Sequence, residues 1–472
     1  MKRLIALSLA VIALLSPLPA AQAVKTETAE QHIALPAGVS AEQLTAEYWL
    51  GKKNKQAAHS DKLIMSQSEI AAVNAQNADM ISIGDISCAL TDIPESVPGD
   101  IVRALVTLAQ PPEDPASRYL HGAPTDKAYW DALLANTAPD AVPDTVTVRY
   151  GYSVRRASLR LFPTNDFVGG TATDRLYDKL VMSEFLPYLP LAVLHESADG
   201  DWCYVMLYGF GGWIEKENLA LCESRADWLK RMRPERFLTV TAREITLADE
   251  PYCLAISALR LPMGTKLPLA DDGAAAEPIN SRRGYGCYVV SLPTRGEDGY
   301  IKDEYALIPA GEDVCAGFMP FTRENVIELA FKHLGARYGW AGMYSANDCS
   351  GIVHEVFACF GFELPRTAGA IMAVDGFEKL DFSGMDDAQK LKALDDIPAG
   401  SLLGFPGHIM LYLGKAGDKA YVISAVGSFG PADADENYDF SVNSVTVNSL
   451  ADTKRRTGGL WLNALSSALI VK

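Results

Sequence analysis

The chain has 472 residues, of which 49% are hydrophobic and 21% charged, and it carries a formal net charge of −17. That balance belongs to a soluble globular protein, and the length exceeds what one hydrophobic core organises, so about two to four domains are expected. The acidic charge excludes nucleic acid as an expected partner, because binding it needs a basic face that displaces counterions.

In chain order, Lys2 and Arg3 precede an apolar stretch over residues 4–15, and Ala21-Gln22-Ala23 supplies small residues at cleavage positions. This is the layout of a secretory signal peptide over 1–23, and the apolar run is too short for a membrane anchor. A periplasmic or secreted protein, acting as a monomer without a membrane anchor, is therefore expected. Residues 24–143 read as a mainly helical N-terminal region, with helices near 66–77 and 126–136 and a linker at 138–143.

Short β patterns fill 144–225. Residues 145–150 alternate, 158–164 run into a turn, and 195–205 read as strand, Asp199-Gly200 turn, strand. Gly212-Trp213-Ile214 then precedes a polar break and a strand at 219–221. A second β-rich stretch, 226–318, echoes these features with a strand at 284–290 and the segment Asp298-Gly299-Tyr300-Ile301.

From 319 to 472 the pattern changes to helices followed by strands. Thr322 is placed to cap a helix in which Val326, Leu329, Ala330 and Leu334 recur at helical spacing, with Gly335 as its stop. A second helix begins near Asp348, with Ile352, Val353, Val356, Phe357 and Phe360 as its buried stripe and Gly361 as its stop. Strands at 401–405, 408–413 and 421–425 follow, an α+β order.

Eight cysteines are present, and neither a C-x-x-C pair nor a zinc spacing occurs among them, so no metal site is expected. Cys203 with Cys222, or Cys253 with Cys287, could staple a hairpin, and buried free thiols fit equally well. Cys349 differs from the others. It stands at a helix N-terminus, where free N–H groups and the helix dipole favour a thiolate. The bland alternative is a small buried hydrophobe.

Of seven histidines, only His354 and His408 lie beyond Cys349. His354 sits about 140° around the same helix and faces away. His408 opens an alternating strand in which Ile409, Leu411 and Leu413 share one face and His408, Met410 and Tyr412 the other. A histidine leaving a strand to meet a cysteine on a facing helix is the papain-like arrangement, and a solvent-facing turn histidine is the alternative.

Arg337-Tyr338-Gly339-Trp340-Ala341-Gly342 with Asn347-Asp348-Cys349-Ser350-Gly351 resembles the nucleophile region of the NlpC family of cell-wall cysteine peptidases. Leu364-Pro365-Arg366-Thr367 resembles the segment after that helix. Residues 400–405 and 407–414 resemble the strands before and at the family's histidine. The β stretches 144–225 and 226–318 resemble two bacterial SH3-like barrels, and 24–143 the N-terminal stabilising domain of the subset that carries them.

The resemblance implies an α+β, papain-like catalytic domain over 319–472 that hydrolyses the γ-D-glutamyl–diamino acid bond of peptidoglycan stem peptides without a cofactor. Cys349 would be the nucleophile and His408 the base. Tyr338, Asp348 and Ser350 would contact substrate, with Asp348 meeting a free N-terminal ammonium. Capping by Asp348 and simple filling of the first turn by Ser350 are the competing roles. Trp340 either walls the pocket or sits in the core.

Two departures stand out. Ser424 occupies the position of the family's third catalytic group, usually histidine, and residues 368–372 lack the family's usual glutamine. A serine hydroxyl can orient imidazole but brings no charge to stabilise imidazolium. A hydrolase of intact peptidoglycan, and a wall-binding module with a decayed site, are therefore the competing functions.

Overall fold

The computed structural model describes residues 33–472 apart from Met80, Gly84 and Asp85. The expected signal peptide lies outside the described residues. Among those residues no helix is long and apolar enough to cross a membrane.

The segment after residue 36 is a mixture rather than a mainly helical unit. Its helices Ala46–Leu50, Gln67–Gln76, Gly99–Val106 and Lys127–Asn136 are short, and strand pairs lie between them. The two expected helices start where their caps require. Ser66 and Glu69 form a reciprocal capping box, and Asp126 accepts from the Tyr129 N–H at 2.9 Å. The strands escaped expectation because two of them pair far along the chain, Leu63–Met65 with Phe321–Thr322 and Ser96–Pro98 with Thr145–Thr147.

This segment braces the C-terminal sheet. Trp49 is fully buried and meets Tyr421 at 5.2 Å, while the Asn54 amide donates to the Trp49 and Leu413 carbonyls, each at 2.7 Å. Gly414 makes this close approach possible. Its φ is +118°, and an added Cβ would lie 2.3 Å from Asn54 Oδ1. Gly414→Ala is expected to cost about 1–3 kcal/mol through strain and overpacking, read as a lowered urea midpoint at unchanged m-value.

Between 149 and 221 the chain forms a seven-stranded antiparallel sheet, in the order Val181–Phe185, Ala157–Arg160, Phe210–Glu215, Trp202–Leu207, Pro190–Glu196, Arg149–Ser153 and Leu219–Leu221. The Asp199-Gly200 turn joins two of these strands, with Gly200 at φ 76°. Side chains alternate along Trp202–Leu207. Trp202, Tyr204 and Met206 pack with the helix residues Val102, Val106 and Trp228, and Cys203, Val205 and Leu207 fill a second core with Leu159 and Leu191. Cys203 and Cys222 consequently belong to different cores, and all eight cysteines are free thiols.

Residues 237–316 build three small sheets around one core that includes Leu238, Val240, Leu261, Leu267, Val290 and Leu292. Its longest element is the hairpin of Cys287–Arg295 with Ile301–Pro309.

The C-terminal part holds a six-stranded antiparallel sheet, in the order Glu378–Asp381, Ser467–Ile470, Leu402–Phe405, His408–Ala416, Lys419–Ser428 and Ser441–Ser449. Helices Arg323–Phe331 and Cys349–Ala358 cover one face. Val326, Ile352, Val353 and Val356 pack there with Ile409, Leu411, Leu413 and Ile423. The opposite face carries Met410, Tyr412 and Val422 against Leu394 and Trp461. The two-residue period of the histidine strand thus divides its side chains between two cores.

Candidate active site

Cys349 is the first residue of its helix, and Asp348 is the N-cap. Asp348 Oδ1 accepts the Gly351 N–H at 2.7 Å and the Ser350 hydroxyl at 3.1 Å. The Cys349 thiol lies against the backbone N–H of Ile409, which puts it beside the start of the strand that carries His408. His408 Nε2 lies 3.1 Å from the hydroxyl of Ser424, a buried residue on the adjacent strand. With Nε2 engaged there, Nδ1 is the nitrogen left for the thiol. For Nδ1 to accept a proton, Nε2 must carry its own and donate it to Ser424 Oγ.

The electrostatics differ from those of an exposed helix terminus. Burial, with the Asp348 carboxylate adding, pushes the Cys349 thiol up to about 12, against the opposing effects of the Ile409 N–H and the Arg366 guanidinium. Burial likewise pulls His408 down to about 4. Its ring lies 5.2 Å from Phe405 and 5.3 Å from Trp461, a setting that solvates imidazolium poorly. Burial thus opposes the dipole effect expected from position alone, and both shifts favour the neutral forms, a thiol and an imidazole. Such a pair serves general-base attack, in which proton transfer accompanies bond formation.

Ser424→Ala removes the hydroxyl that partners His408 Nε2 without changing the charge of the site. Its kcat is expected to fall by about tenfold with KM little changed, since one neutral hydrogen bond contributes about 0.5–1.5 kcal/mol. Steady-state kinetics alongside a thermal-unfolding control would check this.

The remaining residues singled out in the sequence lie on the cap and first turn of the Cys349 helix and on the loop that precedes it. Arg366 forms a two-pronged ion pair with Asp348, Nη1–Oδ1 at 2.8 Å and Nη2–Oδ2 at 2.9 Å, and also donates to Ser350 Oγ at 2.8 Å. Asp348 is held below the usual carboxylate range, with Arg366 and the Gly351 N–H overcoming its burial. Tyr338 is partly buried beside Asp348 and Cys349, and its phenol is held in the protonated form mainly by burial. Trp340 is 39% exposed, so it lies outside the core. Its ring meets Tyr177, from the seven-stranded barrel region, at 5.8 Å. The Tyr177 hydroxyl in turn donates to Asn443 Oδ1 at 3.1 Å. His354 contacts the Leu364 backbone, with Arg366 and Asp348 nearby, and burial pulls its imidazole down to about 4.

Arg366, Trp461 and Tyr177 are the neighbours that sequence reasoning did not place in the site. Arg366 carried a signal, a charged residue within an otherwise apolar and turn-forming block. Trp461 and Tyr177 carried none, since both reach the site through tertiary contacts.

Residues 335–425 match the NlpC/P60 family, and residues 168–215 match an SH3 domain of the SH3b1 type. The chain carries an NlpC/P60 domain. The matched segment of the NlpC/P60 domain contains Tyr338, Trp340, Asp348, Cys349, Ser350, Arg366, His408 and Ser424. Dipeptidyl-peptidase 6 of Lysinibacillus sphaericus is 24% identical over 274 residues, covering 57% of this chain and 84% of that protein. Gamma-D-glutamyl-L-lysine dipeptidyl-peptidase of Bacillus subtilis (strain 168) is 32% identical over 104 residues, which is 20% of this chain and 30% of that protein. Among solved structures, an NlpC/P60 endopeptidase from Photobacterium damselae subsp. piscicida superposes with a TM-score of 0.66 at 18% identity, over 90% of this chain and 96% of that one. The shared fold therefore extends well beyond the NlpC/P60 domain.

Proposed function

We propose that this protein is an exported cysteine endopeptidase that hydrolyses the γ-D-glutamyl–diamino acid bond of peptidoglycan stem peptides, preferring those with a free N-terminal L-Ala. The observation that carries the reading is the placement of Cys349, at a helix N-terminus against the His408 strand, with His408 backed by Ser424. His408 Nδ1 takes the thiol proton as sulfur attacks the γ-carbonyl carbon, and first-turn N–H groups face the oxygen that gains charge. The C–N bond then breaks as His408 returns the proton to the leaving amine. Water, deprotonated by the same imidazole, hydrolyses the thioester and releases the acid and the thiol.

The preference for a free amine rests on Asp348. Arg366 occupies both of its oxygens, but Oδ2 retains acceptor capacity that an ammonium group could use. Incubation with L-Ala-γ-D-Glu-diaminopimelate and its N-acetylated form, with products followed by mass spectrometry, tests both parts. The free peptide should be cut at the γ-glutamyl bond. Acetylation should slow this by about 10–100-fold, the worth of one charge-assisted hydrogen bond. Equal rates would remove the amine preference, and no cleavage of either peptide would remove the bond assignment.

A further inference from the structure

The segment between Tyr338 and Asp348 is held in conformations that L-residues avoid. Ala341 has φ 53°, Tyr344 φ 64° and Ser345 φ 51°, with Gly342 at φ 98° between them. Such a run is unfavourable in isolation and persists only where its surroundings impose it. It connects Tyr338 and Trp340 to the cap and nucleophile, so its shape sets where Cys349 begins its helix.

What imposes it comes from the barrel region. Arg156 precedes the strand Ala157–Arg160, and its side chain is only 12% exposed. Its Nη2 donates to the Ala346 carbonyl at 2.6 Å, the Gly342 carbonyl at 3.2 Å and Asn347 Oδ1 at 3.3 Å. Its Nε donates to Glu184 Oε2 at 2.8 Å, and Nη1 to Glu355 Oε1 at 3.3 Å. Glu355 lies on the nucleophile helix, and its other oxygen accepts from the Asn347 amide at 2.7 Å. One guanidinium therefore ties a barrel strand, the strained loop and the nucleophile helix together.

Two further contacts support this clamp. A Cβ on Gly342 would sit 2.6 Å from Glu184 Cβ, so loop and barrel strand are in close approach. The Tyr344 hydroxyl donates to the Arg175 carbonyl of the barrel region. Burial pushes Glu355 up to about 7 despite Arg156, so its charge depends on the clamp staying intact.

We propose that Arg156 is a positioning residue for the nucleophile: by clamping the strained 340–347 loop and Glu355, it sets Cys349 against His408, which makes the barrel part of the catalytic apparatus. The proposal rests on the reading of Cys349 and His408 as nucleophile and base. Lysine at this position keeps the charge but lacks the planar fork that reaches two carboxylates and the loop oxygens at once.

The test uses the full chain with Arg156→Lys and Arg156→Ala, each alone and combined with His408→Ala. Peptide kinetics are measured together with the rate of Cys349 alkylation by iodoacetamide and the folded fraction by circular dichroism. Arg156→Lys should fold and lose about 10–100-fold in kcat with KM nearly unchanged, the size of effect that a misplacement of about 1 Å produces. His408→Ala should slow alkylation by about tenfold or more in the native background and by less than about twofold beside Arg156→Lys. A kcat loss that only tracks the folded fraction, or the same His408 effect in both backgrounds, overturns the proposal. Should Arg156→Ala fail to fold, the lysine variant still decides. Absence of peptide cleavage by the native protein overturns the substrate reading, while the alkylation cycle continues to report on the clamp.

Discussion

Cys349→Ala should abolish peptide cleavage, a loss of at least about 10⁴-fold in kcat, while thermal unfolding stays close to that of the native protein. In the proposed mechanism the thiol forms the acyl bond, and the Cys349 side chain is partly buried and small, so its truncation leaves little cavity. His408→Ala should cost a similar factor, because the two groups act as one unit and their combined loss should not exceed the larger single loss by much. The pH profile separates this mechanism from a preformed thiolate–imidazolium pair. With His408 near 4 and the thiol near 12, both are neutral across the middle of the pH range. The acid limb of kcat/KM should then fall near pH 4, where His408 gains a proton and ceases to be a base. No alkaline decline should appear in the ordinary histidine range, because no imidazolium is there to lose. A bell-shaped profile centred between two limbs near neutrality would show instead that the ion pair exists before substrate arrives.

The sequence was most informative where local chemistry decides structure. Thr322, Ser66, Asp126 and Asp348 are caps that their own side chains specify, and each helix starts where its cap stands. The alternation of 408–413 separated two faces that the structure assigns to two cores. The outer strand Ser441–Ser449 was not legible, because SVNSVTVNS mixes serine and asparagine into both phases and gains its strand character from pairing with Lys419–Ser428. Within the candidate site, Cys349, His408 and Ser424 could be read because helix position, strand phase and motif order point to them. Arg156, Tyr177 and Trp461 could not. Each enters through contacts with residues tens to hundreds of positions away, and nothing in its own neighbourhood distinguishes it from an ordinary barrel arginine, loop tyrosine or core tryptophan.

Arg366→Ala should destabilise the fold by about 3–5 kcal/mol at neutral pH, because it strips a buried carboxylate of its partner rather than removing a pair. Both side chains are nearly buried, at 13% and 15% exposure, so solvent screens the loss only weakly. The pH dependence carries the diagnostic. In the native protein Asp348 is held below its ordinary value, so its contribution is present above the unfolded carboxylate range and disappears as pH falls through the folded value. Without Arg366, burial dominates and raises Asp348, and the variant favours the protonated acid. Its deficit should therefore be largest at neutral pH and shrink on acidification, as Asp348 takes up a proton and ceases to be an unpaired charge. Asp348→Asn leaves Arg366 unpaired instead and itself gains nothing on acidification, so its deficit should hold through the neutral and mildly acidic range and shrink only below the ordinary carboxylate range, where native Asp348 takes up a proton. Urea denaturation of both variants at a series of pH values would separate the two. Parallel slopes would mean that Asp348 finds another cation when Arg366 is gone, and would remove the ion pair from its place as the support of the helix that carries Cys349.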